Sequence, residues 1–265
     1  MKIQCTMVPA TQRPLAHLPR ATGIVIPAYN EAKHLPQLIA RCIAVAPSVI
    51  IVVDDGSTDG TAEIVESVAG RERTPVRLIR NARNLGKQGS VLLALRALRG
   101  WRLDAIALVD GDGQHDPREL PRMVALLDRY HFVIGARSRR EMPPQRRLSN
   151  WLVNRGFELI GGVDFVDVQS GLRVYRKSAA DVLSLRLAPD GGYSLEHESL
   201  AVLAKHAQRM GVALRVAATP ASCRYGEARS AIGPAEVALL AWQTLRQAFR
   251  IRRALSPAHR VAEAA

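Results

Sequence analysis

Short aliphatic and β-branched runs alternate with longer amphipathic segments through the first half of the chain, and this rhythm narrows the fold more than any other feature. Residues 23–27 precede a helical pattern over 35–45, and residues 49–53 precede one over 60–69. The alternation continues with strand-like 76–79, helical 92–98, strand-like 105–109, helical 120–127 and strand-like 132–135. An α/β chain with a mostly parallel central sheet flanked by helices follows, because parallel strands need a helical crossover and are buried on both faces. Beyond residue 136 the rhythm loosens into a basic, proline-bearing stretch (137–147), a helix over 148–159 and a polar turn leading to a strand at 172–175. A final helix is expected over 234–253, before an alanine-rich tail.

A length of 265 residues with 48% hydrophobic content supports one substantial core. The formal net charge of +13 calls for an anionic partner. Aromatic residues make up only 5%, and neither an RNA-binding motif nor zinc-finger spacing is present, so nucleic acid is not the expected partner. Cys5, Cys42 and Cys223 are scattered and odd in number, as in reduced thiols of a cytosolic protein. The first 21 residues carry Lys2, Arg13 and Arg20 and are broken by Pro9, Pro14 and Pro19. They read as a flexible leader, without the apolar run of a signal peptide. No apolar stretch approaches the roughly 20 residues of a membrane span, so any membrane role is expected to be peripheral, on the cytoplasmic face.

In an open parallel sheet, ligands bind beyond the carboxyl ends of the strands. Here those ends read Pro27-Ala-Tyr29-Asn30-Glu31, then Asp54-Asp55-Gly-Ser-Thr-Asp59-Gly60, then Asp110-Gly111-Asp112-Gly-Gln114-His115. Ser57 to Asp59 can simply cap the next helix. Repeated carboxylates at one sheet edge would repel each other, however, unless a cation were bound. A nucleoside diphosphate with Mg²⁺ or Mn²⁺ meets that need, since these hard ions take oxygen ligands and bridge phosphates. Asn84-Leu-Gly86-Lys87 adds a glycine turn and a cation before a helix, suited to phosphate or ribose contact or to a plain helix start. It lacks P-loop spacing.

Together, Ile26-Pro27-Ala28-Tyr29-Asn30-Glu31, Val52-Val53-Asp54-Asp55-Gly56-Ser57, Asn84-Leu85-Gly86-Lys87 and Asp110-Gly-Asp112-Gly-Gln114-His115 resemble the family 2 glycosyltransferases of GT-A fold. The Gln-His ending and Gln169-Ser170-Gly171-Leu172-Arg173-Val174-Tyr175-Arg176 are similar to the dolichyl- and polyprenyl-phosphate sugar synthase branch. The likeness spans about residues 22–231, leaving residues 232–265 as an amphipathic helix and tail. It implies a donor such as GDP-mannose or a UDP-sugar, held by Pro27, Tyr29, Glu31, Val53, Asp55, Lys87, Asp110, Gly111 and Asp112. Asp112 and Gln114, with Asp110, would ligate the metal. Arg137 would face the phosphates, and Arg146, Arg147, Ser149, Ser170 and Arg224 would meet a polyprenyl phosphate acceptor.

A lipid monophosphate is already a charged nucleophile, so catalysis would need mainly positioning and charge compensation, by Asp112 and Arg137 above all. Two other readings stand beside this one. If a soluble enzyme glycosylated a hydroxyl of a small molecule, glycan or protein, Glu198 or Glu196 would serve as general base, although both also suit a helix N-terminus. A non-catalytic anion-binding protein on the same scaffold is the third. In the last helix, Ala238, Ala241, Trp242, Leu245, Ala248 and Phe249 share a face, which would pack on the core, on a second subunit or on a membrane. Ala231 stands where the branch carries lysine, leaving Arg224 or Arg229 to replace that cation.

Overall fold

The segments 22–28, 49–54, 105–108 and 132–136 are almost wholly aliphatic or small, and in the structure they lie in a single sheet. The structure is a computed structural model that describes residues 3–10, 15–161, 165–189 and 195–225, plus residues 242, 245, 246, 248, 249 and 252. In chain order the elements are β1 (Ile3–Met7), β2 (Thr22–Ala28), α1 (Leu35–Ala44), β3 (Val49–Asp54), α2 (Thr61–Val68), β4 (Val76–Arg80) and α3 (Gly86–Ala97). Then follow β5 (Ala105–Leu108), α4 (Leu120–Ala125) between two short 3-10 turns, β6 (Phe132–Arg137), α5 (Pro144–Gly161), β7 (Arg173–Arg176), α6 (Lys177–Arg186), α7 (Leu195–Arg209) and β8 (Leu214–Ala221).

The eight strands run in the order β1-β8-β6-β7-β5-β2-β3-β4. All neighbours are parallel except at β7, which is antiparallel to both β5 and β6. Alternate strand residues feed two cores, as the pleat requires. Val25, Ile51, Ile106 and Phe132 face α3, α5, α6 and α7. Ile24, Ile50, Ala107 and Val133 face α1, α2 and α4.

Two features differ from the sequence reading. Residues 3–7, expected within a flexible leader, form β1 and pair with Leu214–Ala218. The main-chain ladder to β8 supplies the hold, with Ile3 buried and Cys5 packed on the core; Pro9 follows soon after the strand. β8 itself, rich in alanine and carrying Pro220, has a weak strand signal. It is a strand because β1 and β6 flank it, and Pro220 falls past the end of the β1 ladder, where no donor is needed. The expected C-terminal helix lies largely outside the described residues. Of its described members, Ala248 is buried while Trp242, Leu245 and Phe249 are exposed.

Candidate active site

From β2 the chain steps outward through β3 to β4, then returns to place β5 on the other side of β2. This reversal leaves a crevice between the carboxyl ends of β2 and β5. The two loops that leave it touch closely: a Cβ on Gly111 would sit 2.9 Å from the Pro27 carbonyl oxygen. Asn30, in the left-handed region at φ 55°, turns the β2 loop back, its side-chain oxygen accepting from Thr58 N and its own N–H donating to Ser57 Oγ. Asp59 accepts from Ala32 N and from Thr61 N and Oγ, so this acid caps and ties loops, as one sequence reading allowed.

The acids divide by use. Asp54 accepts from Ser57 N, and its other oxygen lies 3.5 Å from Arg80 Nε. Asp55 Oδ1 accepts from Asn81 Nδ2 and Leu85 N, both at 2.8 Å, which fixes the loop that carries Lys87. Pro27, Tyr29, Glu31, Val53 and Asp55 all lie at or just beyond the ends of β2 and β3, with Tyr29 exposed and Val53 buried in the core.

Asp110 and Asp112 leave the tip of β5 beside Glu31. Lys87 Nζ reaches Asp110 Oδ1 at 2.5 Å and Glu196 Oε1 at 2.6 Å, bridging β5 to the start of α7. Burial alone would raise the Asp110 carboxyl, but Lys87 holds it below the ordinary carboxylate range. Asp112 has no such partner: burial, then the charge of Asp110, raises it. Glu31 is pushed up to about 7 by burial and by Asp112, Asp59 and Asp110. One lysine therefore faces more acid charge than it can offset.

That imbalance gives a stability prediction. The folded chain binds more protons than the unfolded chain between the ordinary Glu31 value of 4.5 and about 7. The ionised Glu31 therefore destabilises the ligand-free fold fully above that window and not at all below it. Discounted for its half-exposed position, the effect is on the order of 1 kcal/mol. Glu31→Gln should raise the ligand-free melting temperature by roughly 2–4 °C near pH 8 and leave it unchanged near pH 4. Differential scanning fluorimetry across pH reads this directly, and an equal shift at both pH values would remove Glu31 as the cause.

On the other flank, the 110–115 loop is pinned to the segment after β8. Arg224 N donates to the Gln114 carbonyl at 2.8 Å, and His115 bridges to Cys223. Burial keeps His115 neutral, below its usual range. Arg146 packs over the Tyr225 ring at 5.8 Å and lies 3.4 Å from Gln114 Oε1, so the N-terminus of α5 reaches the proposed metal ligands. Arg224 is exposed. Arg147 donates to the Met142 carbonyl and Ser149 to the Arg146 carbonyl, both organising the start of α5.

Three expected site residues are held by partners within the protein. Arg137 forms a bidentate pair with Asp167 at 2.7 and 2.8 Å, because β6 ends where the Asp167 turn, at φ 50°, aims its carboxylate back. Ser170 is buried and donates to the Gly135 carbonyl at 2.6 Å, which joins the 167–171 turn to β6. Glu198 is buried and accepts from Gln88 Nε2 at 2.5 Å; Glu196, two residues earlier in α7, is the acid that shares Lys87 with Asp110.

Asp167, Gly171 and Tyr225 were not singled out from sequence. Asp167 had no signal, since its partner lies 30 residues upstream. Gly171 sat inside a recognised motif, but its role depends on a close approach: a Cβ there would fall 2.5 Å from Asp110 Cγ.

Among the described residues, no three His, Cys, Asp or Glu side chains cluster so as to hold a metal ion by themselves. An oxygen set of two carboxylates and an amide still suits Mg²⁺ or Mn²⁺, ions that take one or two protein carboxylates and draw further ligands from phosphates and water.

Comparison with known proteins bears on the family and the fold. Residues 23–183 match Glycosyl transferase family 2. The chain is 33% identical over 198 residues to the undecaprenyl-phosphate 4-deoxy-4-formamido-L-arabinose transferase of Pseudomonas savastanoi pv. phaseolicola (strain 1448A / Race 6), covering 71% of this chain and 58% of that one. It is 34% identical over 161 residues to the protein of the same name from Shewanella sediminis (strain HAW-EB3), covering 58% and 48%. The chain thus spans less than two thirds of the length of these curated relatives. A crystal structure of glucosyl-3-phosphoglycerate synthase from Mycobacterium tuberculosis, in complex with Mn²⁺, UDP and phosphoglyceric acid, shares the fold. Its TM-score is 0.64 at 19% identity, covering 93% of this chain and 86% of that one.

Proposed function

Because the chain belongs to glycosyl transferase family 2, with a GT-A fold, we propose that it is an inverting enzyme moving a sugar from a nucleoside diphosphate donor to a polyprenyl phosphate. The observation that carries this reading is the placement of Asp110 and Asp112 against the β2 tip, where Lys87 pairs with Asp110 while Glu31 and Asp112 stay under-compensated.

In this reading the β2 and β3 ends, with Pro27, Tyr29, Glu31, Val53 and Asp55, receive the nucleoside. Gly111 lets the loop after β5 close against the Pro27 carbonyl at the edge of the donor crevice. Asp112, Gln114 and Asp110 would hold Mg²⁺ or Mn²⁺, whose charge would offset that of the departing diphosphate. The acceptor phosphate oxygen attacks the anomeric carbon from the face opposite the diphosphate, and the anomeric C–O bond breaks with its electron pair leaving on the nucleoside diphosphate. No proton need be removed from the acceptor, so positioning dominates. Arg146, Arg147 and Arg224 offset repulsion between the two phosphates, while Arg137, oriented by Asp167, adds its charge at the end of β6.

The relatives named for transfer to undecaprenyl phosphate support the acceptor class. The test is transfer from labelled UDP- and GDP-sugars to undecaprenyl phosphate in detergent, with Mn²⁺ or Mg²⁺ and then with chelator. Sugar-lipid formed only with metal is the expected result; absence of any nucleotide-dependent stabilisation with Mn²⁺ would reject the reading.

The hydroxyl-acceptor alternative draws on one observation, that Glu196 lies one lysine away from Asp110. Separate Glu196→Gln and Glu198→Gln proteins decide between them. With a phosphate acceptor, turnover should stay within about tenfold, whereas loss of a general base costs about 10²–10⁴-fold.

A further inference from the structure

Lys87 lies in the first turn of α3, after Gly86, whose φ of 77° turns the chain into the helix. The backbone around the lysine is anchored. Leu85 N donates to Asp55 at 2.8 Å, and the buried Gln88 donates to the Ala188 carbonyl at 2.7 Å and to Glu198 at 2.5 Å. The two acids that Lys87 meets are held as well. Glu196 belongs to the first turn of α7, where the buried Arg173 donates to its carbonyl oxygen at 3.0 Å. Asp110 is backed by Gly171, where even a Cβ would fall 2.5 Å from its Cγ. What can move in this cluster is the flexible four-carbon stem of the lysine, whose ammonium lies 2.5 Å from Asp110 Oδ1 and 2.6 Å from Glu196 Oε1.

An ammonium in that position competes with a divalent ion. Asp110 is one of the oxygens expected to hold the cation, and an oxygen already bonded to an ammonium is a poorer metal ligand. Its charge is shared, and the two cations would repel each other across a few ångströms. A nucleoside diphosphate changes the balance, because its oxygens both accept from an ammonium and ligate a hard divalent ion. Lys87 then has somewhere else to go.

We propose that Lys87 is a resident counter-ion that keeps Asp110 closed to a divalent cation until a nucleoside diphosphate enters, and then exchanges Asp110 for a phosphate oxygen while Glu196 holds it in the crevice. Cation and nucleotide therefore bind as a pair, each raising the affinity for the other by the same factor. Glu196 becomes the positioning residue that keeps the lysine at hand, a use of this acid that needs no proton transfer. The inference rests on the nucleotide-sugar reading of the crevice and is independent of the acceptor.

The test follows Mn²⁺ binding through loss of the free-ion electron paramagnetic resonance signal, alone and with saturating UDP or GDP. Wild type is expected to bind Mn²⁺ at least about tenfold more tightly with one of these nucleotides than without. Lys87→Met should bind Mn²⁺ alone about tenfold more tightly than wild type, and its gain from nucleotide should be about tenfold smaller, since no lysine has to leave Asp110. Lys87→Arg, which keeps the charge, should retain the wild-type pattern. Lys87→Gln should follow Lys87→Met, and it takes that variant's place if the methionine protein does not fold. A lysine that merely touched the phosphates would alter nucleotide affinity and leave the affinity for Mn²⁺ alone unchanged; that result overturns the inference. So does wild-type protein that binds Mn²⁺ and nucleotide independently of each other, an outcome that leaves the donor site standing. A chain that binds neither Mn²⁺ nor nucleotide sinks the counter-ion role and the transferase reading together.

Discussion

An Asp112→Asn protein is expected to fold, to melt no lower than wild type when ligand-free, and to lose sugar transfer by about 10²–10³-fold. The argument is electrostatic. Asp112 is buried at the tip of β5, and burial together with Asp110 raises its carboxyl, so ionising it costs the ligand-free fold free energy. Lys87 relieves that cost only in part, since its nitrogen is committed to Asp110 and Glu196 at 2.5 and 2.6 Å. The amide removes the unfavourable charge and keeps the side-chain oxygen that accepts from Gln114 N at 3.0 Å. What it cannot do is offer an anionic ligand to the donor's cation. Stability and activity should therefore move in opposite directions. An Asp112→Asn protein that transfers sugar at wild-type rate, insensitive to chelator, would show that the cation is held elsewhere or not needed.

Gly171→Ala should be nearly as damaging, for a steric reason. A Cβ at position 171 would overlap the Asp110 carboxylate, lying 2.5 Å from Cγ and 2.7 Å from Oδ1. Either Asp110 swings away from Lys87, or the start of β7 separates from β5. Both outcomes disturb the donor crevice, and overpacking of this kind costs about 1–3 kcal/mol. Transfer should fall by about 100-fold or more, since misplacement by an ångström is enough for that. The melting temperature should fall as well. Gly100→Ala is the matched control: nothing lies within 4 Å of its added Cβ, so activity and melting should stay at wild-type values. If Gly171→Ala behaved like the control, Asp110 would not hold the position on which the site is built.

The α/β class was legible from periodicity because each element of the first half carries its own pattern. Residues 49–53 are aliphatic without interruption, as a strand buried on both faces requires, and residues 35–45 repeat apolar positions at helical spacing. The acids after those strands were legible too, since the end of a strand names the edge of the sheet where its next residues emerge.

Strand order was not legible. Local pattern does not say that β5 returns beside β2, nor that β7 enters antiparallel between β5 and β6, because these choices depend on which edges remain unpaired once the rest has folded. β1 and β8 show this most plainly: residues 3–7 and 214–221 make a strand pair only by each other's presence and that of β6. The division of labour among the polar residues was equally hidden. Ser170 hydrogen-bonds to Gly135, Arg137 pairs with Asp167, and Glu196 rather than Glu198 reaches Lys87, all through partners 30 or more residues away.

Sequence alone thus determined which residues would stand at the carboxyl edge of the sheet, and that acid charge would gather there. Tertiary structure alone decided which of those charges share a lysine and which lie uncompensated. The physical reason is that periodicity and capping act between near neighbours, whereas desolvation and ion pairing depend on atoms that only the closed sheet brings within a few ångströms of each other.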